Sequence, residues 1–248
     1  MLTFILFVYG LFLGSFFNVV GLRIPLKQSI VTPRSACPNC GHQLTPFELI
    51  PVLSYLFQKG KCRGCQSQIS PIYLTFELLT GILFALAPTV FGLSGELIVA
   101  LTFISMFMII IVSDIHYMII PDKILLWFAG IFLLERFMWP LTPWWDSLIG
   151  TVTGFLLLLI IAVVSKGGMG FGDVKLYALI GLVIGFKLVL LSFFLSTFYG
   201  TVIGGLALLL RVVKKRQPIP FGPFIAAGTF TAYFWGTELI DLYIKFLY

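Results

Sequence analysis

About eight stretches of roughly 20 apolar residues run along this chain, and nothing else constrains its fold as strongly. Inside hydrocarbon every backbone N–H and C=O must find a partner within the protein, so such stretches cross a bilayer as helices. With soft edges they cover about residues 2–21, 72–92, 95–113, 122–139, 145–165, 174–187, 188–211 and 223–246. Of the 248 residues, 59% are hydrophobic and 10% charged. A soluble domain carries about a quarter charged residues, so no soluble core would hide this surface. The fold class expected is an all-α polytopic membrane protein of about eight transmembrane helices. It divides into a first helix (1–21), a polar loop domain (22–71) and a membrane domain (72–248).

Several joints have visible causes. Met1 to Val20 has no basic residue ahead of its apolar run and no small-residue cleavage site, so it reads as a retained span and not a signal peptide. Pro88, followed by Gly92 and Gly95, is expected to end the second span, and Pro140 and Pro143 to separate the fourth from the fifth. Gly181, Gly185 and Lys187 mark either a tight turn between two spans or one bent segment. Small residues in the last spans, such as Gly200, Gly204, Ala226 and Gly228, suit close helix packing.

The formal charge of +6 is read as orientation and not as nucleic-acid binding, because Lys and Arg in membrane proteins mark the cytoplasmic side. Arg23, Lys27, Arg34, Lys59, Lys61 and Arg63 lie between the first two spans, against a single Glu48. Lys123, then Lys166 and Lys175, then Arg211, Lys214, Lys215 and Arg216 fall in alternate later joints. Alternation across eight spans puts these joints on one face, the cytoplasm, with both termini outside. The partners this implies are the lipid bilayer and no nucleic acid.

The polar loop holds all four cysteines, as Cys37-Pro38-Asn39-Cys40 and Cys62-Arg63-Gly64-Cys65. Two C-x2-C knuckles offer four thiolates to one tetrahedral ion, a closed structural zinc site. Free thiols or two redox pairs are the alternatives, while stable disulfides do not suit a cytoplasmic face. An ion would staple a loop too small to build a core alone. His42 reads as a surface residue, since four cysteines already complete a site.

Acidic residues near the membrane are few. Gly168-Met169-Gly170-Phe171-Gly172-Asp173-Val174-Lys175 places a carboxylate in a glycine-rich joint between two apolar runs. Ser113-Asp114 ends the third span, and Ile120-Pro121-Asp122 opens the fourth. Two aspartates within hydrogen-bond reach share a proton, one acting as base and the other as acid. Such a pair activates water against a peptide carbonyl without a metal. Asp114 and Asp173 are the candidates, and the residues by themselves fit either this chemistry or proton-coupled transport. Asp122 reads as a first-turn charge beside the helix dipole, and His116 as structural. Lys175 either tunes Asp173 or snorkels to the interface. Glu77 pairs with a loop cation, joins a second site or makes a polar contact between helices.

These residues resemble the bacterial prepilin peptidases, the type IV prepilin leader peptidase and N-methyltransferase family. Gly14-Ser15-Phe16-Phe17-Asn18 with Arg23-Ile24-Pro25 resembles the family's opening span, and Ile50-Pro51-Val52-Leu53-Ser54-Tyr55-Leu56, set between the two cysteine pairs, its zinc loop. Asp114 with Ile120-Pro121-Asp122, Gly170-Phe171-Gly172-Asp173, and Ile219-Pro220-Phe221-Gly222-Pro223 match its later motifs in order. The resemblance implies that Asp114 and Asp173 are catalytic and remove the short basic leader of prepilins or pilin-like precursors. It also implies methylation of the new N-terminus from S-adenosylmethionine by the amino-terminal part. No glycine-rich strand-to-helix fingerprint for that cofactor is present. Gly60, in Lys59-Gly60-Lys61-Cys62, is the candidate cofactor-binding residue. Ser113 and Ala36 depart from the family's usual apolar and basic residues.

Overall fold

The computed structural model describes residues 1–165, 169–211 and 219–247. Lys166, Gly168, Lys214, Lys215 and Arg216, named above, lie outside them. Helix dominates: α1 (Leu2–Arg23), a 3-10 turn (Pro46–Leu49), α2 (Leu53–Phe57), α3 (Pro71–Phe91), α4 (Gly95–Tyr117), α5 (Asp122–Met138), α6 (Asp146–Val164), α7 (Phe171–Leu209) and α8 (Gly222–Leu247). Among the described residues, extended pairing is limited to the isolated bridges Ala36–Gln43 and Lys61–Gln68.

Five of these helices, α1, α3, α4, α6 and α7, are long and apolar enough to cross a membrane. The stretch at 122–139 becomes α5, of 17 residues. The stretches at 174–187 and 188–211 become the single element α7, whose helical dihedrals break at Gly185 (φ 79°, ψ −179°). Positive φ is open to glycine at no steric cost, so the break falls there. The polar groups the break frees have partners. Arg136 of α5 donates Nη2 to the Val183 carbonyl, and Asp146 of α6 accepts the Phe186 N–H at 3.2 Å. Pro88 does not end its helix. α3 runs through it to Phe91 and stops at Gly92, whose N–H reaches the Pro88 carbonyl at 3.2 Å. Proline removes a donor but keeps its acceptor, so a helix continues for a turn beyond it.

The chain forms two compact units, Met1–His116 and Tyr117–Tyr248. In the first, α1 packs along α3 through glycines. A Cβ on Gly10 would sit 2.9 Å from the Gly81 Cα, and one on Gly14 2.9 Å from the Glu77 Cα. Removing side chains at these points lets two backbones approach closely, the usual device where lipid offers no hydrophobic drive to association. α4 is buried along most of its length, which accounts for its unbroken apolar run.

In the second unit α6 and α7 approach as closely. A Cβ on Gly150 or on Gly181 would strike the other's backbone carbonyl. α7 and α8 meet at a buried polar seam, where the Ser192 and Thr229 hydroxyls lie 2.7 Å apart and Tyr177 donates to Ser196 at 3.1 Å. Hydroxyls so paired satisfy one another without water.

Candidate functional sites

The loop between α1 and α3 is built around its cysteines. The two knuckles share one hydrogen-bond pattern. The Cys37 N–H donates to the His42 carbonyl and Gly41 returns an N–H to Cys37; Cys62 and Ser67, with Gln66, repeat it, all at 2.9 Å. Each knuckle turns through a left-handed residue, Gly41 (φ 72°) and Gln66 (φ 59°). The four Sγ atoms lie within 4.8 Å of one another, with Cys37 to Cys65 at 3.8 Å and Cys40 to Cys62 at 3.9 Å. A tetrahedron with metal–sulfur bonds of about 2.3 Å has edges of about 3.8 Å. The donor set therefore fits a four-thiolate metal ion. The Asn39 and Cys40 N–H groups draw the Cys37 thiol down to about 6, and the Ser67 hydroxyl lowers Cys65. At these two positions thiolate, the ligating form, is favoured before any ion arrives, whereas Cys40, although the His42 backbone lowers it, is pushed up to about 12 by the sulfurs of Cys65, Cys37 and Cys62 around it.

His42 is not a plain surface residue. Its Nε2 lies 3.2 Å from Glu48 Oε2. Glu48 is buried and accepts the Thr45 N–H at 2.9 Å and the Thr45 hydroxyl at 2.8 Å, a capping box at the 3-10 turn. Those bonds, the Thr45 N–H foremost, hold its carboxyl below the usual glutamate range. Sequence reasoning passed over Glu48 except as the loop's one acid; the Thr45-Pro46-Phe47-Glu48 spacing was the available signal.

Glu77 of α3 has the Ser15 hydroxyl of α1 beside it, the polar contact between helices that was one of its expected roles. Its Oε2 accepts the Val52 N–H at 2.7 Å. Val52 has φ 63°, a conformation costly for a β-branched residue. The carboxylate thus fastens a strained turn of the loop onto α3. Among the described residues no cation pairs with it.

Gly60 is left-handed at φ 68°, and a Cβ there would come 2.9 Å from the Tyr55 hydroxyl. Its carbonyl accepts the Ile69 N–H at 2.7 Å. Gly60 is not itself in the wall of the neighbouring cavity, although Tyr55 beside it is. That cavity, about 450 Å3, opens among α1, α3 and the cysteine loop, with Asn18, Arg23, Tyr55, Tyr73 and Glu77 in its wall. Its size suits a small-molecule ligand.

Asp114 is buried (6% exposed) near the C-terminal end of α4, behind the fully buried Ser113. Asp173, in the second unit, is half-buried in the first turn of α7, where a helix N-terminus favours negative charge. A Cβ on Gly170 would meet Asp173 Oδ2 at 3.5 Å, and one on Gly172 would meet Ile120 Cβ at 2.9 Å. Gly172 therefore lets the first turn of α7 pack against Ile120, while Gly170 has ordinary van der Waals room beside the carboxylate. Asp122 starts α5, as expected, and also accepts Lys175 Nζ at 2.8 Å. Lys175, which also lies 5.6 Å from the Phe171 ring centroid, thus has its ion pair with Asp122. His116 Nδ1 lies 2.9 Å from its own helix carbonyl at Val112.

Two family models match the chain. Residues 8–91 fit the bacterial peptidase A24 N-terminal domain and residues 101–205 the type IV leader peptidase family. A prepilin leader peptidase/N-methyltransferase of Bacillus subtilis is 49% identical over 97% of both chains. The chain belongs to the type IV leader peptidase family. Family members of the same description from Aeromonas salmonicida (34% identical, covering 97% of this chain and 93% of the relative) and Pseudomonas aeruginosa (32%, 96% and 91%) are similar over nearly their whole length. No solved structure matches the chain. The family match removes support from the transporter alternative, and the apolar helices make this member an integral membrane protein.

Proposed function

We propose that this chain is a bifunctional membrane enzyme that removes the leader peptide of type IV prepilins or pilin-like precursors and methylates the N-terminus so exposed. The observation that carries this reading is the 49% identity, over 97% of both chains, to a protein described by both activities. Asp114 and Asp173 are the catalytic pair. One, ionised, takes a proton from water as the oxygen attacks the scissile carbonyl. The other, protonated, donates to the carbonyl oxygen; as the resulting gem-diol collapses and the C–N bond breaks, the first passes its proton to the leaving amine and the second recovers one from a diol hydroxyl.

The ion held by Cys37, Cys40, Cys62 and Cys65 is zinc in a structural role, supported by the near-tetrahedral sulfur spacing. S-adenosylmethionine, when bound, supplies an electrophilic methyl group. Residues 22–71 with the first helix serve methylation, and residues 72–248 serve proteolysis. The helices span eight times, the two halves of α7 counted separately, with termini outside and the cysteine loop in the cytoplasm.

Co-expression with a pilin precursor tests the assignment. Asp114→Asn and Asp173→Asn should each slow leader removal by about 10²-fold to 10⁴-fold on a gel-shift assay. Asp122→Asn, which loses only an exposed ion pair, should process the precursor at a rate far nearer to that of the unaltered protein. Continued processing by either of the first two variants would end the reading of that residue as catalytic.

A further inference from the structure

The cavity among α1, α3 and the cysteine loop has polar groups that the leader-cleaving chemistry does not use. Glu77 is 9% exposed and lines it. Its hydrogen-bonding capacity is partly taken by the Val52 N–H, with the Ser15 hydroxyl beside it. Among the described residues it has no countercharge. A buried carboxylate without one is costly, so a cation without N–H groups to place would suit it. Asn18 is 3% exposed, and its Oδ1 has no hydrogen-bond partner. A buried orphan acceptor calls for a donor. Arg23, in the same wall, gives one donor to the Ser29 carbonyl at 3.0 Å and has others for a carboxylate. The rings of Tyr55 and Tyr73 supply flat apolar surface for a heterocycle or a cation.

A sulfonium, an amine and a carboxylate on one molecule with an aromatic base is the description of S-adenosylmethionine. We propose that this cavity binds the methyl donor, with Glu77 facing its sulfonium, Asn18 Oδ1 accepting from one of its N–H groups and Arg23 taking its carboxylate. The proposal rests on the methyltransferase reading and adds the site. On transfer the lone pair of the new N-terminal amine forms a C–N bond to the methyl group. The C–S bond breaks with its electrons returning to sulfur, and the surplus proton leaves the nitrogen to water. The product has lost the charge that Glu77 faces, which favours its release. Gly60 then acts through Tyr55, whose ring forms part of the wall.

Calorimetric titration of the purified full-length protein with S-adenosylmethionine and with S-adenosylhomocysteine, which lacks the sulfonium, tests this. The unaltered protein should prefer the sulfonium form. Glu77→Gln should weaken that ligand by about tenfold or more while binding the neutral analogue nearly as before, so that the preference collapses. A general loosening of the fold would instead weaken both ligands together, and that result overturns the proposal. Asn18→Leu, of similar size, should weaken both ligands at a retained thermal midpoint. Affinities within twofold of the unaltered protein in both variants would place the donor elsewhere, and the methyltransferase reading would stand if mature pilin from the unaltered enzyme still gains about 14 Da per N-terminus in its mass spectrum. No methylation and no binding by the unaltered protein would remove the reading and the site together.

Discussion

The Cβ of Ile120 stands 2.9 Å from the point where an alanine at position 172 would carry its own. The blocking atom is attached directly to the Ile120 backbone, so no change of rotamer relieves it. Even the smallest side chain at Gly172 must therefore displace the start of α7 or the segment that leads into α5.

Gly172→Ala should lower leader cleavage sharply, because displacement of α7's first turn moves Asp173 with it. The expected stability cost is about 1–3 kcal/mol, as for other overpacked sites. Adding Ile120→Ala should not restore cleavage, since it keeps the offending Cβ. Recovery in the double variant, followed by the same gel-shift assay, would refute the steric account.

Gly60→Ala meets a different obstacle. The Tyr55 hydroxyl is the far end of a side chain that can move, but φ 68° is disfavoured for any residue with a Cβ. We expect a cost of about 1–2 kcal/mol in thermal unfolding. Because the dihedral and not the contact dominates, Tyr55→Ala placed on top should recover less than half of it. Full recovery would assign the cost to the contact.

Metal removal should act on the loop before it acts on the aspartates. Metal analysis of purified protein should find about one zinc ion per chain, lost in Cys65→Ser or after prolonged chelation. Chelation should lower the thermal midpoint and expose the loop to protease. An unchanged midpoint in the metal-free protein would argue against a structural role.

Glu48 gives the loop an acid sensitivity of defined sign. Its folded-state pKa is depressed by the Thr45 N–H and hydroxyl and by His42. A depressed carboxyl adds stability that is fully present above its unfolded value, about 4.3, and is lost as pH falls through the lower folded value. The difference in thermal midpoint between the unaltered protein and Glu48→Gln should therefore be largest near neutrality and shrink below about pH 4.3. A difference that grows on acidification would reverse the assignment.

The sequence by itself determined the membrane-spanning, all-helical character of the chain, because backbone groups in hydrocarbon leave few other solutions to 20-residue apolar runs. It also placed four cysteines in one loop, since C-x2-C spacing brings two sulfurs to one side of a short turn. The match of Asp114, Asp173 and their flanking motifs to a family was likewise legible, because those signals are local. Contacts between residues distant along the chain were not. Nothing near Glu77 announces that it fastens Val52, 25 positions away, and nothing near Lys175 shows that it reaches Asp122, 53 positions away. The left-handed dihedral of Gly60 and its close approach to Tyr55 were not legible either. The break in α7 at Gly185, and not at Gly181, was decided by groups on two other helices, Arg136 and Asp146. Local patterns specify which elements form. Tertiary packing decides which polar groups meet, because a buried charge or N–H must find its partner wherever the fold has brought one.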